Sequence, residues 1–184
     1  MKLVPTPLDG VLIVEPTVHR DERGFFLEVF HAGKFAALGL AVDFVQDNHS
    51  SSRRGALRGL HLQTVEPQGK LVRCIEGTIF DVAVDVRRGS PDFGRWHGVE
   101  LDAESFRQIW IPPGFAHGFC VVSERAQVEY KCTTLYRPEA DLSIRWNDPA
   151  LGIEWPVAEP VLSPKDAGAR RLAELTDLLP RFEP

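Results

Sequence analysis

TIFDVAVDV, residues 78–86, places Phe80, Val82, Val84 and Val86 on one face of an extended chain and Ile79, Asp81, Ala83 and Asp85 on the other. That period of two predicts a strand. Immediately before it lies KLVRCIEG, residues 70–77, a second strand pattern ending in Glu76-Gly77. A two-residue hairpin turn there pairs residues whose numbers sum to 153. Lys70 then stands across from Ala83 and diagonal to Asp81, so the two charges share a face. A surface ion pair is the plain alternative.

Farther out, short apolar or alternating runs recur between turn signals. VLIVEP, GFFLEVF, DFVQ, LRGLHLQ, RQIWIP, GFCVVS, AQVEYKCTTLY and LSIRW read as strands, punctuated by DERG, RRGS, PDFG and PPG. Two helices are predicted. HAGKFAALGL ends at Gly39, and residues 168–179 carry Leu172, Leu175 and Leu179 at helical spacing before Pro180. Ten or so strands with short peripheral helices predict an all-β sandwich or barrel, in one domain spanning 1–184.

Composition agrees with a globular domain. Apolar residues are 43% of the chain, charged residues 26%, and the net charge is -5, which gives no basic stripe for nucleic acid. No run approaches the roughly 18 apolar residues that span a bilayer. MKLVPTPLDG, with one lysine and interrupting prolines, does not read as a signal peptide. Cys74, Cys120 and Cys132 are odd in number and lack C-x-x-C spacing, so they read as reduced strand residues of a cytoplasmic protein.

Polar groups break the apolar pattern at definite places. In LRGLHLQ, His61 and Gln63 share one face and Leu60 and Leu62 the other. Arg58 falls with the leucines unless Gly59 carries a bulge, which glycine permits. In AQVEYKCTTLY, Tyr130 shares the face of Val128 and Cys132, toward the core or a pocket in a barrel mouth, while Glu129 and Lys131 point away. His19, His31, His49 and His97 read as structural histidines.

In IPPGFAHGF, residues 111–119, Pro112, Gly114 and His117 match the P-x-G-x-x-H spacing of the second cupin motif. Residues 59–63, GLHLQ, resemble part of the first, with Gln63 in place of its second histidine and Glu66 only near the place of its glutamate. A metal-binding cupin gathers several His and Glu ligands on one ion. Here His61 and His117 alone remain, so the fold class expected is a double-stranded β-helix, a cupin-type jelly-roll barrel, and no metal is expected.

Taken in order, DERGFFLEVF, QDNHS, RGLH-x-Q, QGKLVR, FDVAVDVRRGSPDFG, IPPGFAHGF, YK-x-T, IRWNDP and LSPKD resemble the dTDP-4-dehydrorhamnose 3,5-epimerase family from about Leu12 to Asp166. The resemblance implies a cofactor-independent isomerase. It implies a homodimer with exchanged N-terminal strands and, as substrate, a dTDP-linked 4-keto-6-deoxy sugar on the way to dTDP-rhamnose for a polysaccharide such as O-antigen. It assigns His61 as general base, Asp166 as its supporting carboxylate and Tyr130 as the acid on the opposite ring face. Lys70 falls where the family stabilises the enolate oxygen, with Asp81 beside it. The chemistry suits those groups: an imidazole titrates near neutral pH, and removing a proton beside a ketone needs positive charge at the developing oxyanion.

By the same resemblance, Arg23, from the partner subunit, and Arg58 bind phosphate. Glu28, Gln46 and Asn48 contact nucleotide or sugar, and His117, Asp141 and Lys165 are further pocket positions. Asp141 stands where the family often has glutamate, Leu62 where it has an aromatic and Cys132 where it has threonine. Asp92 and His97 also depart from the usual choices. None of these removes a reacting group, but they bear on substrate preference. The alternatives are an epimerase acting at a single carbon of a related deoxysugar, a metal-dependent cupin and a non-catalytic sugar-binding cupin.

Overall fold

The computed structural model describes residues 1–183. Its elements are β1 (Lys2–Pro5), β2 (Leu12–Glu15), β3 (Val18–Asp21), β4 (Gly24–Leu27), α1 (Ala32–Ala37), β5 (Gln46–Arg53), β6 (Leu57–Gln63), β7 (Lys70–Glu76) and β8 (Thr78–Asp85). They continue as β9 (Trp96–Asp102), β10 (Gln108–Ile111), β11 (Phe115–Val121), β12 (Arg125–Cys132), β13 (Asp141–Ser143) and α2 (Pro164–Ala167). Six strands in the order β1-β2-β10-β7-β12-β5 form one antiparallel sheet, and five in the order β13-β6-β11-β8-β9 form the other. A separate ribbon, β3-β4, joins neither. The two large sheets face each other as a cupin-like jelly roll, as the alternation predicted.

The strand patterns explain the packing. Ile13, Val72, Ile109 and Val128 of the six-stranded sheet meet Ile79, Ala83, Leu101 and Phe119 of the other in the central core. The opposite face of β8, with Val82, Val84 and Val86, is buried too, against Ile144, Leu172, Leu175 and Leu179. Each such aliphatic side chain contributes about 1.5–3 kcal/mol when fully buried. Behind the six-stranded sheet, Phe35 of α1 packs with Val14, Leu71 and Trp110.

Four departures from the sequence reading have physical causes. First, β7 and β8 do not form a hairpin: β7 pairs with β10 and β12, and β8 with β11 and β9. Gly77, at φ +75°, turns the chain from one sheet into the other. A Glu-Gly step serves a hairpin or an inter-sheet corner equally well. Lys70 and Asp81 still meet the same interior, because Lys70 lies on the Val72 and Cys74 face of β7 and Asp81 on the Ile79 and Ala83 face of β8.

Second, the C-terminal segment forms two short 3-10 turns, Leu172–Glu174 and Thr176–Leu178, with Leu175 and Leu179 at their ends, not a helix over 168–179. The backbone there bonds elsewhere: Leu172 N–H donates to Asp148 Oδ2, Arg145 N–H to the Arg170 carbonyl, and Arg88 N–H to the Pro180 carbonyl. Those bonds take groups that an α-helix would pair internally. Third, DFVQ contributes only Gln46 to a strand, which runs on through QDNHSSSR as β5. Fourth, β1, β3 and β9 lie outside the runs read as strands. Both faces of β5 are polar, one toward solvent and one toward a cavity, so hydropathy does not mark it.

Candidate active site

A cavity of about 590 Å³ opens between the sheets at the end formed by β5, β6, β12 and the α2 segment. Glycine at position 59 prepares its wall. The β6–β11 register shifts there: His61 lies opposite His117, but Arg58 lies opposite Phe119. Gly59 has φ +139°, and a Cβ on it would stand 2.5 Å from Gly118 Cα. The irregularity turns Arg58 into the cavity with His61, while Leu60 packs behind the sheet. The bulge allowed by the sequence is therefore present.

His61 Nε2 lies 2.5 Å from Asp166 Oδ1. Asp166 is fixed in turn by α2: Ser163 Oγ donates to Asp166 Oδ2 at 2.9 Å and accepts the Asp166 backbone N–H at 3.1 Å as the helix N-cap. Burial pushes the Asp166 carboxyl pKa up, but hydrogen bonds from His61 and Ser163 and the nearby charges outweigh it and hold the pKa below the usual carboxylate value. An ionised Asp166 accepts the Nε2 proton, which leaves Nδ1 as the lone-pair nitrogen.

Tyr130 enters from the facing sheet, on the inner face of β12. Its hydroxyl makes no hydrogen bond among the described residues, and burial, with Cys132 adding to it, pushes its pKa up, so the phenol keeps its proton. Lys70 lines the same cavity and its ammonium likewise has no hydrogen-bond partner among the described residues. Burial lowers its pKa, opposed by Cys132, Asp81 and Asp141. His117 Nε2 lies 2.9 Å from Asp81 Oδ2, and burial pulls this imidazole down toward the neutral form. An imidazole and a phenol from opposite sheets, with an unpaired cation, can remove a proton from one face of a bound carbonyl compound and return one to the other.

Of the positions drawn from the sequence, the cavity gathers His61, Tyr130, Asp166, Lys70, Gln46, Asn48, Arg58, His117, Asp141 and Lys165. Arg58 Nε donates to Ser52 Oγ at 3.0 Å, and Gln46 Nε2 to Asn48 Oδ1 at 3.0 Å. Asp141 pairs with Lys165 and accepts from the Tyr136 hydroxyl at 2.9 Å. Asp81 is fully buried behind His117 and does not line the cavity. Arg23 and Glu28 lie outside it as well. Arg23 pairs with Asp21 on the β3-β4 ribbon and Glu28 with Lys34. The ribbon also carries the exposed Phe25 and Phe26 (56% and 67%).

Among the lining residues that carry no assignment from the sequence are Ser163, which holds Asp166, and Tyr136, which bonds Asp141. The S-x-x-D pattern over 163–166 is a helix-start signal that points to Ser163; nothing in the local pattern marks Tyr136. Gln63, at the cupin ligand place, uses its amide structurally. Its Nε2 donates to the carbonyls of Glu66 and Leu135, and its Oε1 accepts from Arg137 N–H. His61 and His117 are each engaged by a separate carboxylate.

Comparison with known proteins meets this geometry. The family model for dTDP-4-dehydrorhamnose 3,5-epimerase matches residues 5–174. A relative of that name from Salmonella typhimurium is 56% identical over 92% of this chain and 94% of its own. The crystal structure of a dTDP-6-deoxy-D-glucose-3,5-epimerase from Legionella pneumophila, in complex with dTDP-4-keto-L-rhamnose, superposes with a TM-score of 0.96 at 50% identity. It covers 100% of this chain and 99% of that one. A 3'-monoepimerase from Streptomyces bikiniensis, in complex with dTDP-quinovose, gives 0.90 at 38% identity over 98% and 93%.

Proposed function

The chain belongs to the dTDP-4-dehydrorhamnose 3,5-epimerase family, and from that premise we propose that His61, Tyr130 and Lys70 invert carbons 3 and 5 of dTDP-4-dehydro-6-deoxy-D-glucose. The product is dTDP-4-dehydro-L-rhamnose, the chain being an epimerase of the isomerase class. The observation that carries the assignment of roles is that His61 and Tyr130 line one cavity from opposing sheets.

His61, held by Asp166, takes the proton on a carbon beside the C4 keto group through Nδ1. Charge moves to the C4 oxygen, where the Lys70 ammonium donates. Tyr130 returns a proton to the opposite face of the same carbon; His61 then releases its proton to solvent, the Tyr130 phenolate takes one up, and the cycle repeats at the second carbon. Arg58 at the mouth binds the diphosphate, and Gln46, Asn48, His117, Asp141 and Lys165 hold sugar and nucleotide. Arg23 and Glu28 reach the cavity from a second copy of the chain, in a homodimer that exchanges N-terminal strands. The unpaired β3-β4 ribbon with its exposed phenylalanines supports that arrangement. No helix of the described residues is long and apolar enough to cross a membrane. The product feeds rhamnose-containing polysaccharide, O-antigen among them, in the cytoplasm.

The likeness to the Streptomyces bikiniensis monoepimerase favours one second reading, inversion at a single carbon. Incubation with dTDP-4-dehydro-6-deoxy-D-glucose in deuterium oxide, coupled to a reductase and read by NMR, separates the two. Two deuterons per product are expected; one would establish the single inversion, and none would overturn both. In the same assay Tyr130→Phe is expected to keep exchange at the abstracted position while inverted product falls by about 10²-fold or more.

A further inference from the structure

We propose that Asp81 is a positioning residue: its carboxylate, without touching substrate, keeps Lys70 charged and orients His117 through Nε2. This rests on the reading of Lys70 as the cation for the enolate.

Asp81 is fully buried, and Oδ2 takes the His117 bond, but Oδ1 has no partner among the described residues. A carboxylate whose role is structural would have both oxygens satisfied, since a buried unmet acceptor costs about 1–3 kcal/mol. From the facing sheet Lys70 presents an ammonium that is also without a hydrogen bond. Anion and cation thus belong to faces of β8 and β7 that meet in one interior, where Lys70 lines the cavity beside His117, the partner of Asp81.

The other groups around Lys70 cannot replace that anion. Cys132, beside it on β12, is a thiol whose own pKa burial pushes up, so it is neutral at working pH. Asp141 of β13 is already paired with Lys165 of α2, and Lys165 itself repels Lys70. His61 of β6 is engaged by Asp166 and His117 of β11 by Asp81. Among the described residues, Asp81 is the one carboxylate acting on Lys70 that has no Lys or Arg bonded to it. Removing its charge leaves burial to drive the proton off Lys70 and frees His117 to rotate.

The test labels the lysine ε-carbons with carbon-13 and follows Lys70 by NMR, assigned by its absence in Lys70→Met. In the unsubstituted enzyme the Lys70 resonance is expected to stay in the charged form through pH 8. In Asp81→Asn it should titrate at least about one pH unit lower. The alkaline limb of kcat should move down with it, kcat should fall by about 10²-fold and KM should stay within about threefold. In the Lys70→Met background, Asp81→Asn should cost less than about threefold more.

Unchanged Lys70 titration in Asp81→Asn, or a full second loss in the Lys70→Met background, overturns the proposal. So does a Lys70 already neutral below pH 8 in the unsubstituted enzyme, a measurement that stands even if Asp81→Asn does not fold. Because the titration needs no turnover, its failure is distinct from an absence of deuterium exchange, which would remove the epimerase reading instead.

Discussion

His61→Gln is expected to lower kcat by about 10²–10⁴-fold while dTDP binding, measured by calorimetry, stays within a few-fold of the unsubstituted enzyme. Glutamine is chosen because its amide can still donate toward Asp166 Oδ1, now served by the imidazole at 2.5 Å, so the buried carboxylate is not left without a donor. What glutamine lacks is a lone-pair nitrogen of useful basicity. Folding should be preserved, since the His61 side chain is 31% exposed and contributes little to the core. The readout is product and deuterium incorporation in the coupled assay, with circular dichroism as the folding control. Turnover within tenfold of the unsubstituted enzyme would remove His61 from the role of base and with it the assignment of Asp166 as its support.

The second large effect lies at the corner between the sheets. Gly77→Ala puts a Cβ 2.0 Å from the Arg125 carbonyl oxygen and 2.4 Å from Ser123 Oγ, at φ +75°. An L-residue in that region costs about 1–3 kcal/mol, and the overlap with backbone adds about 1–3 more. The carbonyl cannot yield alone, because Ser123 Oγ also accepts the Thr78 N–H at 2.9 Å and donates to that same Arg125 oxygen at 2.6 Å. A loss of about 3 kcal/mol, read as a fall in Tm of about 6–12 °C by calorimetry, is the expected outcome. A fall below 2 °C would mean the corner relaxes, and that Gly77 is not what fixes the crossing from β7 to β8.

Most of the barrel could be read from residues whose burial makes their strands apolar on one face or on both. β12 alternates in burial, whereas β8, β10 and β11 are buried on nearly every residue and read as short apolar runs; these and β6 and β7 are each found within a few residues of the predicted place. Where the pattern failed, a different constraint governs. β5 is polar toward both solvent and cavity, so hydropathy carries no trace of it. The leucines at 172, 175 and 179 have helical spacing, yet they pack on the outer face of β8 from a segment of two 3-10 turns whose flanking backbone bonds go to other segments. The pairing of β7 was misplaced because sheet membership is decided by distant partners, β10 and β12, that no local stretch names.

The site divides in the same manner. The orientation of His61 and Tyr130 followed from alternation alone, and Arg58 joined them only through the bulge at Gly59. Lys70 and Asp81 were brought together by a hairpin that does not exist; they meet because their strands face one another across the core. Asp166 had no local signal of its role beyond its likeness to the family, since its contact with His61 is made across the whole length of the barrel sequence. Arg23 lies at the turn of the β3-β4 ribbon and Glu28 just past its end, both outside the cavity, and no local pattern marks that separation.

That contact between His61 and Asp166 spans 105 positions of sequence, whereas the last strand is complete at Ser143. Chain growth on the ribosome therefore hands over the scaffold first and the group that arms its base last. A message truncated between the codons for Ser143 and Asp166 would yield every strand of the barrel, with an imidazole that nothing orients.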